Sequence, residues 1–247
     1  MNEFELEPTE PSLPPLFRGE KAGEGVDPFT KAISASITGV DPGLVVYSIE
    51  PHRIRAAMVL APEASLEDSM AMVFAASLGF GDALGALAPP EVGVHMDWPG
   101  TLRVNAAKCG RIHVAASDTP TDQEPDWLVV GLDVPVFPIA DTVEPGEAPD
   151  STTLTEEGCV DVSSMELLGS WTRHTLVWIN RWLDEGIAPL HADWRSRAFS
   201  LGDEISVTLQ GESFAGTFVG LDDKGGLLLR ADDETKLIPL SKMLEMS

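Results

Sequence analysis

Basic residues are scarce in this chain. It has 16 Lys and Arg against 40 Asp and Glu, a formal net charge of −24. A mean field of that sign repels phosphate backbones and anionic lipid surfaces, and no run of Lys or Arg offsets it. Nucleic acid and membrane surfaces are therefore not expected as partners. Cysteine is nearly absent: the two present, Cys109 and Cys159, lie far apart in sequence. They make no disulfide scaffold, and no Cys/His spacing reads as a zinc site, so no metal is expected. No apolar run approaches the roughly 20 residues of a membrane span. The stretch Met1–Glu7 is acidic, the opposite of a signal or transit peptide. A cytoplasmic protein in a reducing compartment is expected. The Gly-x-Ser-x-Gly elbow, the phosphate loop and the dinucleotide fingerprint are all missing.

What is present supports one sizeable domain and a small second one. The 247 residues are 43% hydrophobic, enough for a core. Residues 1–12 read as a disordered or extended arm, within a Pro- and Gly-rich extended stretch to residue 27 that docks through Leu13, Leu16 and Phe17. Asp27-Pro28 predicts an N-cap and first helical residue, and Gly39 a stop after Ile37. Leu44–Tyr47 and Arg55–Leu60 read as strands. Ser65 and Asp68 predict a second helix start, and Gly79-Phe80-Gly81 a kink. Val92–Met96, Thr101–Asn105, Gly110–Ala116 and Trp127–Leu132 are expected strands. Residues 138–158 read as a long surface loop. A strongly amphipathic helix follows from Ser164 to Gly186, its Trp171, Trp178 and Trp182 forming a core face. Leu190–Phe199 is a short helix. From Ile205 onward the pattern changes to short alternating strands with turn chemistry at Gly211 and Asp223–Gly226. This module of about 45 residues is marginal alone and is expected to dock on the rest.

The most informative stretch runs from His95 to Ala116. Trp98-Pro99 makes a turn between strands, and Lys108 sits among small and apolar neighbours. Lys108 reads either as a solvated hairpin lysine or as a cation aimed at an anionic ligand. Strict alternation sets Lys108 on the face opposite Arg103, Cys109 and Arg111, unless a bulge lies between Asn105 and Gly110. Asp97 reads as a turn cap or as an acceptor for a ligand amide. His95 and His113, on strands read as neighbours, either pair across the sheet or are satisfied core histidines. His174 reads as structural.

The Trp-Pro…Lys arrangement resembles the biotin protein ligase and lipoate protein ligase family. Trp178–Arg195 looks like the helix-turn-helix bridge of that family, and Gly216–Arg230 like a hairpin of its C-terminal barrel. The resemblance spans about residues 13–245 and includes no N-terminal DNA-binding domain. It implies an α+β fold: a mixed β-sheet with helices packed on it over 13–198, then a small SH3-like barrel over 199–247. It implies that Lys108 is the catalytic cation facing an acyl carboxylate and an adenylate phosphate. Trp98, Pro99, Gly100, Thr101, Asn105, Gly110, Arg111, Arg53 and Arg55 are the implied ligand-binding positions. Either Gly110 or Arg111 holds the close-approach glycine position.

The chain departs from the family where chemistry is done. The Arg- and Gly-rich loop that cradles phosphates is replaced by Ser48–Arg53, short and without glycine. The Trp-Pro-Asn-Asp turn is Trp98–Thr101 here, and the Gly-Ile-Asn strand end is Leu132–Pro135. These differences favour a divergent protein that binds a biotin-, lipoate- or fatty-acyl-like carboxylate, with adenylation weak or lost. Two alternatives stay open: an active ligase or acyltransferase using Lys108, and a non-catalytic interaction protein. The cofactor stays unassigned, with ATP plus biotin or lipoate as the candidate. A biotin or lipoyl carrier domain and a homodimer are candidate partners. One concave site is expected, formed by the Trp98 turn, the Lys108 strand, Leu44–Tyr47 and Arg55–Leu60, with Val92, Met96 and Val114 as apolar walls.

Overall fold

The computed structural model describes residues 10–139, 150–232 and 234–245. Most of the expected N-terminal arm, and the middle of the expected 138–158 loop, lie outside them. Leu13 and Phe17 pack on the core, but Leu16 is 71% exposed, so it is not a docking contact.

The first half of the chain supplies β1 (Arg18–Lys21), α1 (Pro28–Ile37), β2 (Leu44–Glu50), β3 (Arg53–Leu60), α2 (Leu66–Ser69) and α3 (Met72–Leu87). Then come β4 (Val94–Asp97), β5 (Thr101–Val104), β6 (Ala107–Ala116) and β7 (Leu128–Pro135). These seven strands form one sheet in the order β1-β2-β3-β7-β6-β5-β4. Only β1 and β2 pair in parallel, so the sheet is mixed. α4 (Ser164–Glu185) and α5 (Ala188–Ser196) follow. Strands β8 (Glu204–Leu209), β9 (Glu212–Leu221), β10 (Leu227–Ala231) and β11 (Glu234–Ile238) make a second, antiparallel sheet of four strands, the small C-terminal barrel.

Local chemistry sets the helix ends. The Asp27 carboxylate accepts the Thr30 N–H at 2.9 Å, with Pro28 pre-set for the first turn. Ser65 caps α2 and Ser163 caps α4 in the same way. Gly186, at φ 75°, ends α4 in a backbone conformation that other residues rarely adopt.

α3 is the core of the protein. Its residues from Met72 to Gly81 are all buried. By length and composition Leu66–Leu87 (mean hydropathy 1.6) is apolar enough to cross a membrane, contrary to the expectation that no such run exists, yet 78% of that window is buried inside the fold. Nor does Gly79 kink the helix, which runs unbroken. A Cβ on Gly79 would lie 2.3 Å from Thr175 Oγ1 and 2.7 Å from its backbone nitrogen. The glycine lets α3 and α4 touch backbone to backbone.

The two faces of the large sheet differ. α3 and α4 cover one face, and the main core of Val45, Tyr47, Met58, Leu102, Ile112, Val114 and Val130 lies there. α1 covers part of the other, over Leu44, Val46, Ala57, Val59 and Val129. Beyond α1 that second face carries charged residues from β2, β3, β5, β6 and β7. The barrel shares the main core through Phe214, Phe218, Leu227, Leu229 and Ile238. Gly225, at φ 81°, lets a barrel turn meet Phe74, whose ring a Cβ there would approach to 2.3 Å.

Candidate functional site

The face that carries Lys108 is decided by a bulge. Asn105 and Ala106, at φ 46° and 77°, turn β5 into β6, a two-residue hairpin turn that follows the sheet twist. Arg103 then pairs with Lys108, but Thr101 pairs with Arg111. Leu102 on β5 thus opposes both Cys109 and Gly110 on β6. Alternation breaks at Cys109–Gly110, and the expected opposition of Lys108 to Arg103 and Arg111 is corrected: all three lie on the open face, while Cys109 stays on the core face. Gly110, at φ 133°, makes this possible, since a Cβ there would lie 2.5 Å from Asp133 O.

The register places Thr101, Arg111, Asp133, Arg55 and Ser48 in one row across five strands. Carboxylates neutralise the arginines of this face. Arg53 donates from Nε and Nη2 to the two Asp133 oxygens at 2.6 Å each. Arg55 pairs with Glu50 at 2.9 Å and with Asp27 at 3.4 Å. Arg111 reaches Glu245 at 3.6 Å. Arg103 is bound to Asp97 and to the Ala106 carbonyl, and stacks over Phe199 at 4.3 Å. Asp97 also accepts from Ser200 at 2.8 Å, so it is a structural acceptor.

Lys108 differs from all of these. Its backbone is fixed, the N–H donating to Asp150 O at 2.7 Å and the carbonyl accepting from Thr152 N at 2.9 Å. Its side chain is exposed and forms no ion pair among the described residues.

The other sequence-predicted positions divide. Thr101, Gly110 and Arg111 share the Lys108 hairpin, and Arg53 and Arg55 lie on β3, separated from it by β7. Asn105 is taken up in the turn, its Oδ1 accepting from Gly93 N at 2.9 Å. Trp98 is buried, its indole N–H donating at 2.9 Å to Gly225 O in the barrel. The Trp98–Pro99 peptide is cis. Gly100 is buried, and its carbonyl accepts from Ile112 N at 2.7 Å.

The expected apolar walls are corrected. Met96 and Val114 are buried in the helix-side core, behind the sheet from Lys108. Val92 borders a groove of about 390 Å³ with Gly81, Asp82, Gly85, Val94 and Arg197, away from Lys108. The Lys108 region is an open charged face, not an apolar pocket closed by those residues. His95 and His113 do not pair either, because β5 lies between their strands.

Sequence reasoning missed Glu245. After the barrel and a 3₁₀ turn (Leu240–Met243), the chain returns to β6 and Glu245 N–H donates to Val114 O at 2.9 Å. The Glu245 carboxylate lies 2.6 Å from His113 Nδ1. A carboxylate only accepts, so Nδ1 carries the proton. The hydrogen bond from His113 holds the Glu245 carboxyl below the ordinary range, against the opposing effect of burial. The far ring nitrogen is 4.0 Å from Asp133 Oδ2, and the ring meets Phe29 of α1 at 5.4 Å. His113 lies on the open face by alternation from Arg111, a signal present in the sequence. Its partner from the far end of the chain has no local signal.

Fitness for a nucleotide is poor. β2 and β3 join through Pro51-His52 alone, too short to wrap a triphosphate, and the flanking arginines are already neutralised.

Comparison with known proteins places this geometry. Residues 13–196 match the model of the biotin/lipoate A/B protein ligase family. Residues 207–246 match a domain of unknown function, DUF4444. A biotin–[acetyl-CoA-carboxylase] ligase of Paracoccus denitrificans is 27% identical over 186 residues, 75% of this chain and 77% of that protein. The crystal structure of a biotin protein ligase-like protein of unknown function from Silicibacter sp. TM1040 is 50% identical, with TM-score 0.87, covering 96% of this chain and 100% of that one. The biotin protein ligase of Aquifex aeolicus shares the fold at TM-score 0.70 and 19% identity, over 88% of this chain and 92% of its own. The mixed sheet, the helical bridge and the small barrel agree with these matches, and the chain belongs to the biotin/lipoate A/B protein ligase family.

Proposed function

We propose that this chain binds a carboxylate of the biotin, lipoate or fatty-acyl class on the open face of its main sheet, with Lys108 as the recognising cation. We propose further that it makes acyl-adenylate slowly or not at all. The observation that carries the reading is the contrast between Lys108 and its neighbours. Arg53, Arg55 and Arg111 each face a carboxylate, whereas Lys108 faces none among the described residues. A charge-assisted hydrogen bond from Lys108 is worth about 1.5–3 kcal/mol, enough to orient one carboxylate. Stabilising a pentavalent phosphate needs several such donors aimed at it.

The division into residues 13–198 and 199–247 and a cytoplasmic location belong to the same proposal. Unpaired Cys109 and Cys159 suit a reducing compartment. A biotin or lipoyl carrier domain is the protein partner if acyl transfer survives; the name of the Paracoccus relative gives acetyl-CoA carboxylase as its protein substrate.

Thermal-shift measurements with biotin, lipoate, octanoate and ATP test the reading. A ligand at 100 times its Kd stabilises by about 2.7 kcal/mol. One of the three acids is expected to stabilise the wild type and to lose that effect in Lys108→Met, with ATP inert. Failure of all three acids sinks the binding reading. Robust pyrophosphate release with an acid plus ATP, lost in Lys108→Ala, restores the full ligase.

A further inference from the structure

The open face already holds a carboxylate that belongs to the chain itself. Glu245 is not a random surface contact. Its backbone is tied to Val114 O at 2.9 Å, Leu244 beside it packs on the core, and its carboxylate is aimed at the side chains of two alternate residues on β6. His113 gives the short contact at 2.6 Å and Arg111 the longer one at 3.6 Å. The His113 side chain is 19% exposed, held between Glu245, Asp133 and the Phe29 ring. The Arg111 side chain is 59% exposed. One fixed imidazole donor and one adaptable guanidinium form a two-sided receptor for a planar anion.

We propose that Arg111 and His113 form a carboxylate-binding site, which Glu245 fills as a tethered internal ligand and which a small free carboxylate competes for. The charged groups around it are accounted for: Asp133 and Arg53 pair with each other behind His113, and Asp27 lies at the start of α1. A tethered group competes at an effective concentration far above that of free ligand, up to the millimolar range for flexible linkers. A free carboxylate therefore enters weakly while Glu245 is seated, and more tightly once its charge is removed. In the frame of the proposed function, this sets an internal competitor on the same face as Lys108; the site itself does not depend on that reading.

The test uses the full chain and sodium acetate as the probe. The His113 imidazole resonances, assigned with His113→Gln, are followed by NMR during acetate titration, with sodium chloride at equal ionic strength as the reference. In Glu245→Ala and in Glu245→Gln the resonances are expected to move saturably with acetate and not with chloride. The wild type is expected to need at least fivefold more acetate. Adding Arg111→Met to Glu245→Ala should weaken the response several-fold. Resonances that follow ionic strength alone in both Glu245 variants overturn the proposal, as does a wild type that titrates like them. If acetate titrates as expected but biotin, lipoate and octanoate all fail to bind, the Lys108 reading falls and this site stands.

Discussion

Arg53 grips Asp133 with two parallel hydrogen bonds of 2.6 Å, diagonally across the β3–β7 ladder. The pair uses up a cation that sequence alone offers to a ligand. Arg53→Ala is therefore expected to change octanoate affinity by less than about twofold, in line with the small net worth of exposed pairs. Lys108→Met is expected to weaken it by at least about tenfold. Isothermal titration of the two variants checks the contrast. Equal losses would mean that the Asp133 pair opens on binding.

Two glycines of α3 should respond oppositely to alanine. A Cβ on Gly79 meets Thr175 at 2.3 Å, and one on Gly85 meets nothing within 4 Å. Alanine improves helix propensity by about 1 kcal/mol at either site. At Gly79 overpacking of about 1–3 kcal/mol outweighs that gain, because the obstacle is backbone as well as side chain. Urea midpoints should fall for Gly79→Ala and rise for Gly85→Ala.

The buried thiol of Cys109 should be inert. Burial, with smaller contributions from Cys159, Glu157 and Glu156, pushes its pKa up to about 12. At pH 8 the thiolate fraction is then about one in ten thousand, from the difference of 12 and 8. Ellman's reagent at pH 8 is expected to leave Cys109 unmodified in the native protein and to modify it after denaturation. Rapid native modification would show that the bulge opens.

Glu245 should couple stability to pH in one direction. Its carboxyl is lowered in the fold, chiefly by the His113 hydrogen bond. The linked stabilisation is present above the ordinary glutamate range and is lost as pH falls through the lowered value. The side chain is 40% exposed, so the effect is modest. The melting-temperature difference between wild type and Glu245→Gln should be largest near pH 6–7 and shrink towards pH 3, where the carboxyl protonates. A difference that grows on acidification would contradict the pairing.

Local chemistry made most elements legible. Asp27-Pro28, Ser65 with Asp68, and Gly186 each act on backbone groups within one helical turn, so a reader of the chain can place α1, α2 and the end of α4. The alternation from Ile205 and the short turns at Gly211 and Asp223–Gly226 mark the small barrel. The shortness of Ser48–Arg53 is visible directly.

The site was legible only as a roster. Lys108, Arg111, Arg53 and Arg55 can all be named from the chain, but which of them remains free of a carboxylate cannot. That depends on Asp133, Glu50 and Glu245, set beside them by strand register and by a segment returning from beyond the barrel. The side of the sheet that Lys108 takes depends on a bulge, and the bulge depends on how closely Asp133 O approaches Gly110. Helix caps and strand alternation are short-range properties of the covalent chain, so sequence by itself determined the elements and their order. Charge pairing and facing are properties of neighbours distant in sequence, so only the tertiary structure decided that Arg53, Arg55 and Arg111 each face a carboxylate while Lys108 faces none among the described residues.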